Sequence, residues 1–238
     1  MAGEHSEQSN RAGLPHDPVT VTTEDADGVL VVTIDDGKAN ALTVPVIDGI
    51  RSAIAEASGR GRPLVITGRD GCFSGGFDLA VMNSGQKHLA AALFAEGTRL
   101  YRDVIEAQVP VVASCTGHAL AGGAMLLLCA DYRIGRTGPY RVGLNEVAIG
   151  MALPPIGAAI AIHRLERRFL TRATMFAEIG SPERAEAMGF LDEVADDPLP
   201  TACSLAASLA ELPKGAFATT KRRIRRGLAH QIEALDRR

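Results

Sequence analysis

Residues 109–130 read VPVVASCTGHALAGGAMLLLCA. This is the longest apolar-looking window in the chain, yet Pro110, Ser114, Thr116, Gly117, His118, Gly122 and Gly123 interrupt it. A membrane span needs about 20 predominantly apolar residues, so the window does not read as one. It reads instead as a strand at 111–114, a glycine turn, and a helix running through Leu126, Leu127 and Leu128. The first N–H groups of a helix have no partner inside it and lie at the positive end of its dipole. Gly122 and Gly123 could therefore hold a developing negative charge. Close helix–sheet packing, where glycine merely saves space, is the other reading.

The same alternation extends on both sides. Val- and Ile-rich runs at 19–22, 29–34, 64–67 and 132–134 are strand-like. Between them, Thr43 can cap a helix whose Val46, Ile50, Ile54 and Ala57 share one face, and Leu89, Leu93, Leu100 and Val104 mark a longer helix before Pro110. Strands alternating with helices predict parallel pairing in an α/β fold. From Pro155 onward the pattern is wholly helical. It includes a short helix opened by Ser181-Pro182-Glu183 and stopped by Gly189, then helices near 199–212 and 216–229. The expected organisation is a loose polar tail at 1–18, an α/β core at 19–175 and a helical region at 176–238 packed on the core or on a neighbouring subunit.

A second glycine loop, Gly71-Cys72-Phe73-Ser74-Gly75-Gly76-Phe77-Asp78-Leu79, follows the strand at 64–67. Such a loop presents peptide N–H groups at the carboxyl edge of a sheet, where α/β proteins bind ligands. A loop without a ligand fits the residue types equally well. Two glycine loops at the ends of separate strands say more than one, because a two-donor oxyanion hole draws its N–H groups from separate segments. In a third segment, Gly143-Leu144-Asn145-Glu146-Val147, Glu146 lies among apolar neighbours. A carboxylate in partly dry surroundings is a better base, and a solvent-facing glutamate at a loop edge is the plainer alternative.

Several chemistries are excluded. Neither glycine cluster continues into Gly-Lys-Ser/Thr, and 117–123 lacks the dinucleotide fingerprint. Ser74 is not flanked as a G-x-S-x-G nucleophile, and His118 reads as a packed or hydrogen-bonding residue. The four cysteines, at 72, 115, 129 and 203, have neither zinc nor disulfide spacing, which predicts no metal site and a reducing, cytoplasmic location. The 1–18 segment, with Glu4 and Glu7, lacks the basic start and apolar stretch of a signal peptide. Of 238 residues 46% are hydrophobic and 22% charged, a soluble, globular balance, and the net charge of -3 lacks the basic excess of a nucleic-acid binder. Neither nucleic acid nor a membrane is an expected partner.

Taken together the three segments resemble the crotonase superfamily, the enoyl-CoA hydratase/isomerase family. Asn40-Ala41-Leu42 is similar to the family's N-A-L helix entry, and Phe73 to Leu79 to its F-x-x-G-x-D-L loop. Gly117 to Gly123 with Ala130-Asp131-Tyr132-Arg133 resembles its N-G-x-x-x-G-G-G and C-D-x-R segments. The resemblance runs from about 19 to 194. It implies a ββα spiral, C-terminal helices that mediate homotrimers or hexamers, and an acyl-CoA thioester substrate whose coenzyme A is its own, with no further cofactor. It places the oxyanion donors on the N–H groups of Phe77 and Gly122 and the pocket around Gly76, Gly123, Met125 and Pro154. Of the two glutamates of family hydratases, one falls on Met125, which transfers no proton, and the other on Glu146. The water-placing glycine falls on Pro154, which has no N–H.

Glu146 as sole base thus implies isomerisation of 3-enoyl-CoA to 2-enoyl-CoA. The alternatives are a 2-enoyl-CoA hydratase with a second acid from elsewhere, such as the 86–107 helix, and a non-catalytic acyl-CoA binding protein. In some family members, helices like the one carrying Lys221 to Arg226 approach the CoA adenosine phosphate, often across a subunit interface; a solvated helix face is the competing reading.

Overall fold

The structure, a computed structural model, describes residues 20–236. The expected tail at 1–18 lies outside them. Strands β1 (Val21–Ala26) and β2 (Val29–Ile34) form an antiparallel hairpin across Asp27 and Gly28. Both turn residues are left-handed, at φ 50 and 89, which suits the twist of a two-residue hairpin. After β3 (Ala41–Leu42), helix α1 (Val44–Arg60) starts where Thr43 accepts a hydrogen bond from the Val46 N–H and stops at Gly61.

The chain then repeats a strand, strand, helix unit. β4 (Leu64–Gly68), β5 (Gly71–Ser74) and β6 (Gly76–Phe77) lead into α2 (Leu79–Met82) and α3 (Lys87–Glu106). β7 (Val111–Cys115) and β8 (Gly117–Leu120) lead into α4 (Gly122–Cys129). β9 (Tyr132–Arg136) and β10 (Val142–Gly143) precede α5 (Pro155–Arg164). The remainder comprises α6 (Leu170–Thr174), α7 (Pro182–Met188), β11 (Glu193–Ala195), α8 (Pro198–Ala210) and α9 (Lys214–Asp236).

The first strand of each unit joins a six-stranded sheet ordered β1-β2-β4-β7-β9-β11, and the second joins a three-stranded sheet ordered β10-β8-β5. This is the expected ββα spiral. β4 and β7 are buried at every position, as parallel strands covered on both faces must be. Along β2 the alternation assigns the faces. Leu30, Val32 and Ile34 pack into the main core beneath α1, α3, α4 and α5, while Val29 and Val31 meet Val65, Val112, Ile134 and, from α8, Ala202 and Ala206.

The expectation of an entirely helical chain after Pro155 is corrected by β11, which pairs parallel with β9 as the last strand of the main sheet. Three residues with a single large apolar side chain, Val194, carry too little periodicity to show as a strand. Tertiary contacts hold it: the Arg133 guanidinium bonds both oxygens of Asp192, at 2.7 and 2.6 Å, just before β11. The Lys221 to Arg226 run divides. Arg222, Arg223 and Arg226 are exposed, whereas Lys221 and Arg225 turn inward to Asp131, with Lys221 Nζ 2.6 Å from its carboxylate. Burial lowers the Lys221 ammonium from its ordinary value, while Asp131 raises it. For these two residues the solvated-face reading fails, and their role is to tie α9 to the core.

Candidate functional site

Asn40 builds the first wall. It is fully buried at φ 50, a left-handed conformation that asparagine tolerates. Its Nδ2 donates to the carbonyls of Ile34 at 2.8 Å, Cys72 at 2.9 Å and Phe73 at 3.2 Å. Ser74 Oγ donates to the Asn40 carbonyl at 2.8 Å and accepts from the Gly76 N–H at 3.2 Å. That hydroxyl braces the loop between β5 and β6, which agrees with rejecting it as a nucleophile.

The two glycine loops meet backbone to backbone. A Cβ on Gly76, whose φ is 95, would stand 2.9 Å from the Gly122 nitrogen, and one on Gly123 would stand 2.2 Å from the Ser74 carbonyl oxygen. Only glycine permits this approach. Ala121, at φ 48, turns the chain into α4, and its N–H is held by the Gly143 carbonyl at 3.1 Å. Gly122 follows as the first helical residue, so its N–H is one that the helix itself does not use.

Phe77, at the end of β6, lays its ring against α3. The ring lies 5.7 Å from Phe94 and 6.3 Å from Tyr101, and a Cβ on Gly97 would come within 2.3 Å of it. The Tyr101 hydroxyl donates to the Gly122 carbonyl at 2.9 Å.

Opposite lies Glu146. Its carbonyl accepts from the N–H groups of Ile149 and Met151, at 3.1 and 2.9 Å, fixing the backbone in a tight 3-10 turn. Its side chain is treated differently. The residue is 4% exposed, and neither carboxylate oxygen has a hydrogen-bond partner. Burial pushes the carboxyl above its ordinary value, offset only in part by the dipole of its own backbone N–H, which is too poorly aligned to count as a hydrogen bond. Such a group is a stronger base when ionised and a usable acid when protonated.

Glu146 faces a cavity of about 440 Å3, bounded also by Phe77, Phe94, Gly122, Met125 and Pro154. Leu79, Met82 and Leu120 make further walls apolar, Asn145 adds one polar amide, and among the described residues Glu146 is the only ionisable side chain in the lining. The cavity thus gathers Glu146, Phe77, Gly122, Met125 and Pro154 from four separate segments. Gly76 and Gly123 are not in its lining: each is pressed against backbone, and Gly75 and Ala121 stand there.

The 86–107 helix brings only Phe94 to the lining; its Glu96 pairs with Arg51 and Arg99. His118 accepts from the Arg141 N–H at 3.0 Å and packs edge-on to Tyr140, a structural role as expected. The sequence reading missed Tyr101, Phe94 and Asn145, whose buried Oδ1 is also unpartnered in the lining. Tyr101, at helical spacing from Leu93 and Val104, looks like core, which it also is. Asn40 was visible only as part of a helix entry, although an asparagine ahead of a helix cap is a signal for a left-handed residue.

The sequence profile described as enoyl-CoA hydratase/isomerase matches residues 24–236. A peroxisomal fatty acid beta-oxidation multifunctional protein of Arabidopsis thaliana is 31% identical over 78% of this chain. The chain spans about a quarter of that relative, 26% of its length. The crystal structure of a probable enoyl-CoA hydratase from Mycobacterium tuberculosis superposes with a TM-score of 0.87 at 38% identity, covering 90% of this chain and 92% of the other. Human mitochondrial delta3-delta2-enoyl-CoA isomerase gives 0.86 at 25% identity, covering 90% and 86%.

Proposed function

Since the chain belongs to the enoyl-CoA hydratase/isomerase family, we propose that its cavity takes a 3-enoyl-CoA thioester and that Glu146 moves the double bond to the 2-position. The Glu146 carboxylate removes a proton from the carbon next to the thioester carbonyl. The bonding pair becomes a new double bond to the carbonyl carbon, whose oxygen takes the negative charge as a dienolate. The N–H groups of Phe77 and Gly122 stabilise that oxygen. Protonated Glu146 then returns its proton two carbons further along, and the carbonyl re-forms with the double bond in conjugation. No atom is gained or lost.

Magnitudes suit the assignment. One oxyanion donor is worth about 2.7–4 kcal/mol in the transition state, and a positioned acid–base contributes roughly 10²- to 10⁴-fold. The observation that carries the reading is Glu146 itself: among the described residues the sole ionisable group lining a largely apolar cavity, with both oxygens unpartnered. Met125 and Pro154, in the same lining, supply neither a second acid nor an N–H to place water.

Hydration of a 2-enoyl-CoA is a second reading, favoured by the unpartnered Asn145 Oδ1, which is able to accept from a water in the cavity. The same proposal carries a trimer or paired-trimer assembly. Exposed Ile162, Met175 and Phe176, at 60, 67 and 71%, support it.

A panel of 2-enoyl and 3-enoyl-CoA substrates of several chain lengths, with products identified by mass and chromatography, separates these readings. Isomerisation leaves the mass unchanged and hydration adds a water; binding without either product marks a silent binder. Glu146→Gln should abolish turnover of 3-enoyl-CoA and retain acyl-CoA binding. Unchanged turnover in that variant overturns the assignment.

A further inference from the structure

We propose that Tyr101 is a positioning residue of the oxyanion hole, its buried hydroxyl holding the first turn of α4 at a fixed distance from β6. This rests on the reading above, in which the N–H groups of Phe77 and Gly122 receive the thioester oxygen.

One stripe of α3 touches both donor segments. Gly97 and Tyr101 are four residues apart and share a helix face. Gly97 admits the Phe77 ring, while Tyr101 meets that ring edge-on and donates to the Gly122 carbonyl at 2.9 Å. Helix α3 therefore touches both segments, and its one hydrogen bond to Gly122 adds a directional restraint to the packing of the Phe77 ring between them.

Gly122 needs such a restraint. A Cβ there would stand 3.0 Å from the Tyr101 hydroxyl and 3.1 Å from the Phe77 ring, so a side chain cannot stiffen this residue. Glycine leaves its backbone angles loose, yet an oxyanion donor has to be held within about 0.5 Å of its productive position. A hydroxyl on the Gly122 carbonyl supplies a constraint from outside the helix. Tyr101 is fully buried, and burial, followed by the charges of Cys129 and Glu146, holds its phenol well above the ordinary value. It remains a donor at any working pH.

The competing role is a core tyrosine whose hydroxyl merely needs a partner. Two measurements separate the roles in full-length wild type and Tyr101→Phe. The first is kcat and KM with a 3-enoyl-CoA. The second is the infrared stretch of a bound acyl-CoA labelled with 13C at the thioester carbonyl, which reports polarisation without turnover. Tyr101→Phe should lower kcat about 10- to 30-fold, less than outright removal of a donor. KM should stay within about twofold, since uniform binding is untouched, and the low-frequency carbonyl shift of wild type should shrink.

4-Aminophenylalanine at 101 keeps the shape and a weaker N–H donor, so it folds even where phenylalanine does not. It should give intermediate values of both readouts. A Tyr101→Phe variant that retains the full carbonyl shift and wild-type kcat, or a 4-aminophenylalanine variant that restores neither readout above the phenylalanine level, overturns the proposal alone. A wild-type protein that shows no carbonyl shift overturns the oxyanion reading, and the proposal with it.

Discussion

Asn40 and Ser74 hold each other: the Ser74 hydroxyl donates to the Asn40 carbonyl at 2.8 Å, while the Asn40 amide nitrogen reaches the carbonyls of Cys72 and Phe73 on the same strand. The wall that carries Phe77 is thus anchored by side-chain bonds. Asn40→Ala leaves three buried carbonyls without this donor and forces alanine to φ 50. A loss of about 2–4 kcal/mol is expected. Thermal unfolding checks it. Asn40→Gly, which adopts the angle freely, should recover only the conformational share.

Activity should fail on the acid side earlier than an ordinary glutamate would dictate. Glu146 must be ionised to take the first proton, and burial raises its folded-state pKa. The kcat/KM profile for 3-enoyl-CoA should therefore fall as pH drops through a value above the ordinary 4.5. An acid limb at or below 4.5 would contradict the dry environment of the carboxylate.

The same carboxylate works against the fold. Because its pKa is raised on folding, the native state holds a proton that the unfolded chain has released, and stability declines as pH rises from the ordinary value through the raised one. Glu146→Gln removes the buried charge. At neutral pH it should gain about 1 kcal/mol, or a Tm rise of roughly 2–4 °C for a chain of this size. The gain should vanish at acid pH, which a series of melts would show.

Met125→Glu tests why water addition is disfavoured. It places a second carboxyl in the cavity that holds Glu146. Hydration of 2-enoyl-CoA should rise above the wild-type level, detected as a product one water heavier. The nearby like charge should also shift the acid limb of isomerisation upward. An unpaired polar group buried at a site now 2% exposed should cost about 1–3 kcal/mol of stability.

The periodic parts of this fold were legible in the sequence. Thr43 with Val46, Ile50, Ile54 and Ala57 marks α1, and Ser181 with Gly189 brackets α7, because caps and apolar stripes are local signals. The catalytic candidate was legible too, since Glu146 stands alone among apolar neighbours. β11 was not: three residues become a strand only because β9 lies beside them. Nor did spacing show that Gly76 and Gly123 face backbone while Gly75 faces the cavity. One step of chain into β6 reverses direction between Gly75 and Gly76, and Gly123 is set by how closely α4 packs on Ser74, which local sequence does not show. The inward turn of Lys221 and Arg225 depends on Asp131, 90 residues away from Lys221.

The far face of the main sheet has a bearing on biosynthesis. Val31, Val65 and Val112 are covered by Ala202 and Ala206 of α8, so this greasy side stays bare until more than 200 residues have left the ribosome. At about 5–20 residues per second, a nascent chain exposes it for seconds. Premature termination between the end of β9 at residue 136 and the start of α8 at residue 198 would yield a sticky fragment that has β2, β4, β7 and β9 and no lid over them.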